Sequence, residues 1–208
     1  MTTQHPDETE DASLSGQPPQ PMDTRDRILQ AATRIFAQKG YHGTGMSELG
    51  EAAGIQRGAL YYHIGSKEDL LFDLCKRHVD EALARGRAAV DSADEPQEQL
   101  RRLVHAHLNT LAERRDDVIV AEHEMRSLTG ERAVRLRALR REYQNLFEEV
   151  FARGTDAGTF HAASPIDVMG VLGMLNYTYV WLDPKGPTSV DEIAERLLTL
   201  ILNGMAGR

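Results

Sequence analysis

The stretch Thr44–Lys67, TGMSELGEAAGIQRGALYYHIGSK, reads as a helix-turn-helix. Met46, Leu49 and Ala53 recur at helical spacing and give a first helix, over about 46–53, a single apolar stripe. Gly54 stops it, because glycine takes the left-handed conformation that closes a helix, and Ile55 is placed to plug the space between the two helices. A second, very short helix follows over about 57–63. Its apolar positions, Ala59 and Leu60, are few, while Arg57, Tyr61, Tyr62 and His63 offer donors and aromatic faces that a buried helix does not need. Those groups suit phosphates and base edges in a DNA major groove. The alternatives are that Tyr61 serves the core and that His63 caps its helix.

Outward from this unit the chain continues to read as helices. A helix from Asp23 or Thr24 to Lys39, ended by Gly40, carries Ile28, Ala31, Ala32, Ile35 and Phe36 on one face. It has to pack across the helix-turn-helix, since two short helices alone bury too little surface to fold. On the other side Ser66, with Asp69 three residues on, makes a capping-box start for a long helix through Leu70, Leu71, Leu74, Cys75, His78, Val79 and Leu83 to about Val90. Such a helix is a natural lever. Further helices are predicted over about 95–113, 116–128 and 131–157, the last ended by Gly154 and Gly158. Ser164-Pro165 opens the most apolar segment, which runs to Trp181. Asp183-Pro184-Lys185-Gly186-Pro187 breaks it, and Ser189 opens a final helix. With no repeats and no strand-like alternation, the fold class is all-α with about nine helices.

Composition bounds the rest. A chain of 208 residues, 41% hydrophobic, can build a substantial core. No apolar run reaches membrane-spanning length and no export signal is present, which predicts a cytoplasmic protein without a membrane partner. The net charge is −8, yet residues 22–68 carry six Lys or Arg against five acids, so the helix-turn-helix unit is close to neutral. Residues 1–21 hold four acids and no bases, lack periodicity, and read as a disordered tail. Cys75, the single cysteine, sits in an apolar helical row and reads as a core thiol. His105 and His107 fall about 200° apart around a helix and cannot share a metal, so neither metal nor cofactor is expected. Nothing in the chain has the order of a catalytic triad or of a phosphate loop, and no enzyme is expected.

The pattern Thr44, Leu49, Ala52-Ala53-Gly54-Ile55, Gly58, Leu60-Tyr61-Tyr62-His63, Ser66-Lys67-Glu68-Asp69-Leu70 resembles the DNA-binding domain of the tetracycline-repressor family over about residues 24–72. The resemblance implies a three-helix DNA-binding domain over 22–68 and a helical effector-binding and dimerisation domain over 69–208. It implies that Thr44 bonds a backbone phosphate and that Arg57 and Gly58 open the recognition helix, the glycine letting backbone approach DNA and the arginine reading a guanine edge. Lys67, beside a helix N-terminus, is expected to hold a phosphate. The sequence leaves the family pattern at Gly45, at Gln56 and at Ile64-Gly65. Gln56 lacks the usual capping hydroxyl and is a candidate for touching DNA itself.

One short recognition helix reads too few base pairs for useful specificity, so two copies are expected on a palindromic operator. The resemblance places the last two helices in a homodimer bundle, with Val168, Val171, Leu172, Leu175 and Tyr179 on one and Ile193, Leu197, Leu200 and Ile201 on the other. The middle helices then enclose a small-molecule effector. Candidates are Leu103, His107, Leu111, His123, Met125, Arg126, Tyr143, Phe147, Met174, Tyr177, Thr178 and Trp181, for each of which ordinary core is the competing reading. Asn176-Tyr177-Thr178-Tyr179-Val180-Trp181 with the break after it is similar to a branch of the family that senses acyl-coenzyme A thioesters. The expected function is a homodimeric, nucleoid-associated transcriptional repressor released by an apolar anionic effector. An effector-independent DNA-binding protein is the alternative, and a helical enzyme the remote one.

Overall fold

The computed structural model describes residues 23–205, and the tail expected over 1–21 lies outside them. Nine α-helices and one short 3₁₀ turn are present among the described residues: α1 Thr24–Lys39, α2 Met46–Ala53, α3 Arg57–Ile64, α4 Lys67–Asp91, α5 Pro96–Glu113, α6 Arg115–Glu124, the 3₁₀ turn Met125–Ser127, α7 Gly130–Asp156, α8 Pro165–Trp181 and α9 Val190–Met205. No β-strand forms among them.

The boundaries follow from local chemistry. Gly54 closes α2 in the left-handed region at φ 68°, ψ 35°, and its N–H returns to the carbonyls of the last turn. Ser66 accepts the Asp69 N–H at 3.0 Å while the Asp69 carboxylate accepts the Ser66 N–H at 3.1 Å, a reciprocal capping box that starts α4. Ser164 and Asp167 repeat the device at α8, where Pro165 takes the first helical position. Gly154 departs from its expected role. The helix runs past it to Asp156, and the missing side chain instead admits the ring of Phe160, because a Cβ there would lie 2.0 Å from Phe160 Cδ2. The helix expected over 116–128 divides at Glu124, its last turn tightening into the 3₁₀ segment.

Two buried clusters result. The first joins Ile28, Ala32 and Phe36 of α1 to Leu49, Leu60 and Ile64, and is completed by Leu70, Leu71 and Leu74 of α4 with Val120, Leu128 and Leu136 from α6 to α7. The three N-terminal helices therefore share their core with later helices. The second cluster packs Leu100, Leu103, Val104 and Leu108 against Phe147, Val150 and Phe151, with Val168, Val171 and Leu175 of α8 and Ala194, Leu198 and Ile201 of α9. Cys75 is fully buried in the first cluster, and burial pushes its thiol up to about 12. Helices α4, α6 and α7 each contribute to both clusters and tie them together.

Replacing Ser66 by Ala removes one half of the box while leaving the buried clusters untouched. The expected loss is about 1 kcal/mol, seen as a fall in melting temperature of about 2–4 °C by circular dichroism. An unchanged melting temperature contradicts the assignment of the cap.

Candidate functional site

Helix α3 presents an exposed face made of Gln56, Arg57, Gly58, Tyr61 and Tyr62, while Leu60 and Ile64 hold its other side in the first cluster. Tyr62 is 88% exposed, the most exposed large apolar side chain among the described residues. The Arg57 guanidinium stands 5.8 Å from the Tyr61 ring centroid, and the His63 ring meets Tyr62 edge to face at 5.4 Å. His63 is half-buried and its carbonyl accepts from Arg25, which also pairs with Asp73. Gln56 makes no side-chain bond to the start of α3 and is exposed. Lys67 Nζ lies 4.3 Å from the Tyr41 ring centroid, and desolvation lowers its pKa. Thr44 is placed differently from the expectation. It is only 3% exposed and its hydroxyl donates to the Gly40 carbonyl at 2.9 Å, so that proton closes the turn after α1 and is not free for a phosphate.

A cavity of about 520 Å³ lies between α4, α5, α6, α7 and α8, within the range of small-molecule sites, roughly 300–1,000 Å³. Its apolar wall includes Val79, Ala82, Leu111, Val118, Met125, Met169 and Leu172, and its polar wall includes His78, His107, Glu122, Arg137, Arg140, Arg141, Tyr143, Gln144 and Asn176. Four of the residues singled out for a ligand, His107, Leu111, Met125 and Tyr143, line it together. The others stand elsewhere. Leu103 and Phe147 are core. Thr178 is buried with its hydroxyl on the Leu175 carbonyl, Met174 packs against the second cluster, and Arg126 is exposed on the 3₁₀ turn. His123 bonds the Tyr179 hydroxyl at 2.8 Å, and Tyr177 and Trp181 point outward from α8.

His78 is among the wall residues that the sequence did not single out for a ligand. Its signal was a histidine inside the apolar row of α4, between Cys75 and Val79. Burial lowers its pKa, while Asp117 and Glu122 pull the other way. His107 is pushed down to about 4 by burial, with His78 adding a smaller effect, and burial raises Tyr143. Both members of this pair are therefore neutral near pH 7. Glu122 is matched by Arg140 at 2.8 Å and Arg141 by Glu148 at 3.1 Å. Arg137 has no carboxylate partner among the described residues.

Helix α8 turns part of the face expected to pair into the chain itself. Val168, Val171 and Leu175, with Ile201 of α9, turn into the chain's own second cluster, while Leu172 lines the cavity and Tyr179 holds His123. The outward side of α8 carries Ile166, Met169, Tyr177, Val180 and Trp181, continued on α9 by Leu200. Ile193 and Leu197 are half-buried against the second cluster. Because α8 is apolar almost all round, its spacing does not say which side faces inward.

Comparison with known proteins shows the family and the fold. Residues 28–74 match the model of bacterial regulatory proteins of the tetR family, and residues 93–205 match that of the tetracyclin repressor-like C-terminal domain. The transcriptional repressor KstR2 of Mycolicibacterium smegmatis is 27% identical over 192 residues, which cover 90% of this chain and 93% of that protein. The crystal structure of PfmR from Thermus thermophilus aligns with a TM-score of 0.79 at 33% identity, over 86% of this chain and 98% of its own. AibR, solved in complex with isovaleryl coenzyme A and operator DNA, aligns with a TM-score of 0.79 at 28% identity, over 86% and 97%.

Changing Tyr62 to Ala deletes an exposed ring and no core contact. Affinity for the chain's operator, followed by fluorescence anisotropy at fixed salt, is expected to fall about tenfold or more, with stability changed by less than about 0.5 kcal/mol. An unchanged affinity removes Tyr62 from the DNA interface.

Proposed function

Because the chain belongs to the tetracycline-repressor family of transcriptional regulators, we propose that it is a homodimeric repressor released from a palindromic operator by a small, apolar, anionic effector. The observation that carries this reading is the course of α4: it starts at Lys67, just after the recognition helix ends at Ile64, and His78, Val79 and Ala82 along it wall the cavity. A molecule in the cavity touches the same rigid rod that carries the DNA-reading face.

In this reading residues 22–68 read DNA, with Gln56, Arg57, Gly58, Tyr61 and Tyr62 at the groove and His63 and Lys67 beside it. Residues 69–208 bind effector and dimerise. The outward face of α8, with Ile166, Met169, Tyr177 and Trp181, supplies an apolar surface that a second copy covers. Two-fold pairing sets the recognition helices about 34–36 Å apart, one turn of DNA. The near-neutral charge of the DNA-reading unit makes binding lean on placed contacts and dimer spacing, with a modest salt slope. The effector class is supported by the arginines Arg137, Arg140 and Arg141 beside an apolar wall, and by the likeness to AibR, whose structure holds isovaleryl coenzyme A. No helix among the described residues is long and apolar enough to cross a membrane. We place the protein in the cytoplasm, on nucleoid DNA.

A gel-shift on DNA from around the protein's own gene tests this directly. A sequence-specific complex at moderate salt, weakened by added acyl-coenzyme A, is the expected result. Absence of any sequence-specific complex contradicts the reading.

A further inference from the structure

One residue lining the cavity, His107, carries a buried polar atom that no group among the described residues satisfies. His107 sits on α5 with Nδ1 2.9 Å from the Tyr143 hydroxyl, and its Nε2 is buried without a hydrogen-bond partner. The tautomer follows from counting protons. Tyr143 has one O–H to donate, and His107 Nδ1 is the acceptor within reach of it among the described residues. If Nδ1 instead carried the proton, the Tyr143 O–H would lose its acceptor and the Nε2 lone pair would be left buried and unmet. Donation from Tyr143 to Nδ1 leaves a single orphan, an Nε2–H. Burial keeps both side chains neutral, so this assignment holds near pH 7.

The pair is also held rigidly. The two rings stack at 5.9 Å with 26° between their planes, and Phe147 meets each of them edge to face. Behind them Gly86 of α4 leaves the space that Tyr143 fills, since a Cβ there would stand 3.2 Å from the Tyr143 ring and 2.9 Å from Leu146. A donor fixed in this way discriminates by geometry, because a ligand that fails to meet it leaves it buried and unpaired.

We propose that His107 is a specificity-determining residue of the cavity, oriented by Tyr143, and that its Nε2–H donates to a carbonyl oxygen set within the apolar part of an anionic ligand. The proposal rests on reading the cavity as the effector site. A carbonyl suits the site better than a hydroxyl, since it accepts without bringing a further proton that needs a buried acceptor of its own. Arg137, lacking a carboxylate partner among the described residues, receives the ligand's negative charge, and Val79, Leu111 and Leu172 enclose the hydrocarbon. Tyr143 acts as a positioning residue.

A matched pair of probes isolates the carbonyl: octanoyl-coenzyme A, a thioester, and S-octyl-coenzyme A, the thioether that lacks only that oxygen. Dissociation constants are measured by calorimetry on the full-length protein. Wild type is expected to bind the thioester at least about tenfold more tightly. In His107→Leu the ratio collapses to near unity, and Tyr143→Phe, which frees Nδ1 and so the tautomer, gives a smaller ratio than wild type. Equal affinities in wild type, a comparison that needs no variant, overturn the proposal while leaving an effector site in place. A ratio that survives in His107→Leu does the same. Failure of both probes to bind overturns the proposal together with the coenzyme A thioester reading of the effector.

Discussion

One carboxylate holds the joint on which the rest of the molecule turns. Asp69 Oδ2 accepts the Ser66 N–H and hydroxyl, its backbone N–H donates back to Ser66, and its other oxygen pairs with Arg132 at the start of α7. The Ser66 hydroxyl and the Arg132 guanidinium hold the Asp69 carboxyl below the usual carboxylate range. Beside it Glu68 accepts the Thr129 N–H at 2.8 Å and its hydroxyl at 2.9 Å. Since Ser66 stands two residues after the end of α3, these bonds fix the recognition helix against the α6–α7 turn as well as against α4.

That turn is also where the cavity ends. Glu122 and Met125 line it, and two residues later Ser127 bonds His42, in the loop leading into α2, at 2.9 Å. Across the other wall α4 passes from the cap to His78, Val79 and Ala82 without a break. In the proposed switch an effector therefore acts on the recognition helix from two sides, through the rod of α4 and through the short 3₁₀ turn. The shared first cluster, in which Leu128 and Leu136 pack with Leu60 and Leu71, makes these contacts move together. Two dimer shapes of nearly equal free energy are all that such a coupling needs, with operator favouring one and effector the other.

Most of the fold was legible because the helices are punctuated. Gly40, Gly54, Ser66, Ser164-Pro165 and Ser189 each carry a chemical reason to start or stop a helix, and the structure places its boundaries at or beside them. Helix faces were legible where only one side is apolar, as in α1. On α8 nearly every position is apolar, so the inward set of Val168, Val171 and Leu175 and the outward set of Ile166, Met169 and Trp181 are indistinguishable until α5 and α9 are in place. The cavity was half legible for a related reason. His107 and Tyr143 stand out as polar groups in apolar rows, whereas Leu103 and Phe147 share those rows and differ only by a fraction of a turn that puts them in the core. Thr44 shows a further limit: the same hydroxyl serves a phosphate or a nearby carbonyl, and only the course of the chain past Gly40 decides between them.

In the proposed switch, effector in the cavity changes the spacing of the two recognition helices through α4. This coupling is tested most directly by a distance measured between spin labels, one per protomer, attached at the exposed position 56 through Gln56→Cys. The buried Cys75, its thiol pushed up to about 12, does not compete for the label. With the thioester that releases the operator, the distance distribution between labels is expected to shift away from the spacing of one DNA turn. An unchanged distribution, recorded while the same ligand releases the operator, contradicts the account.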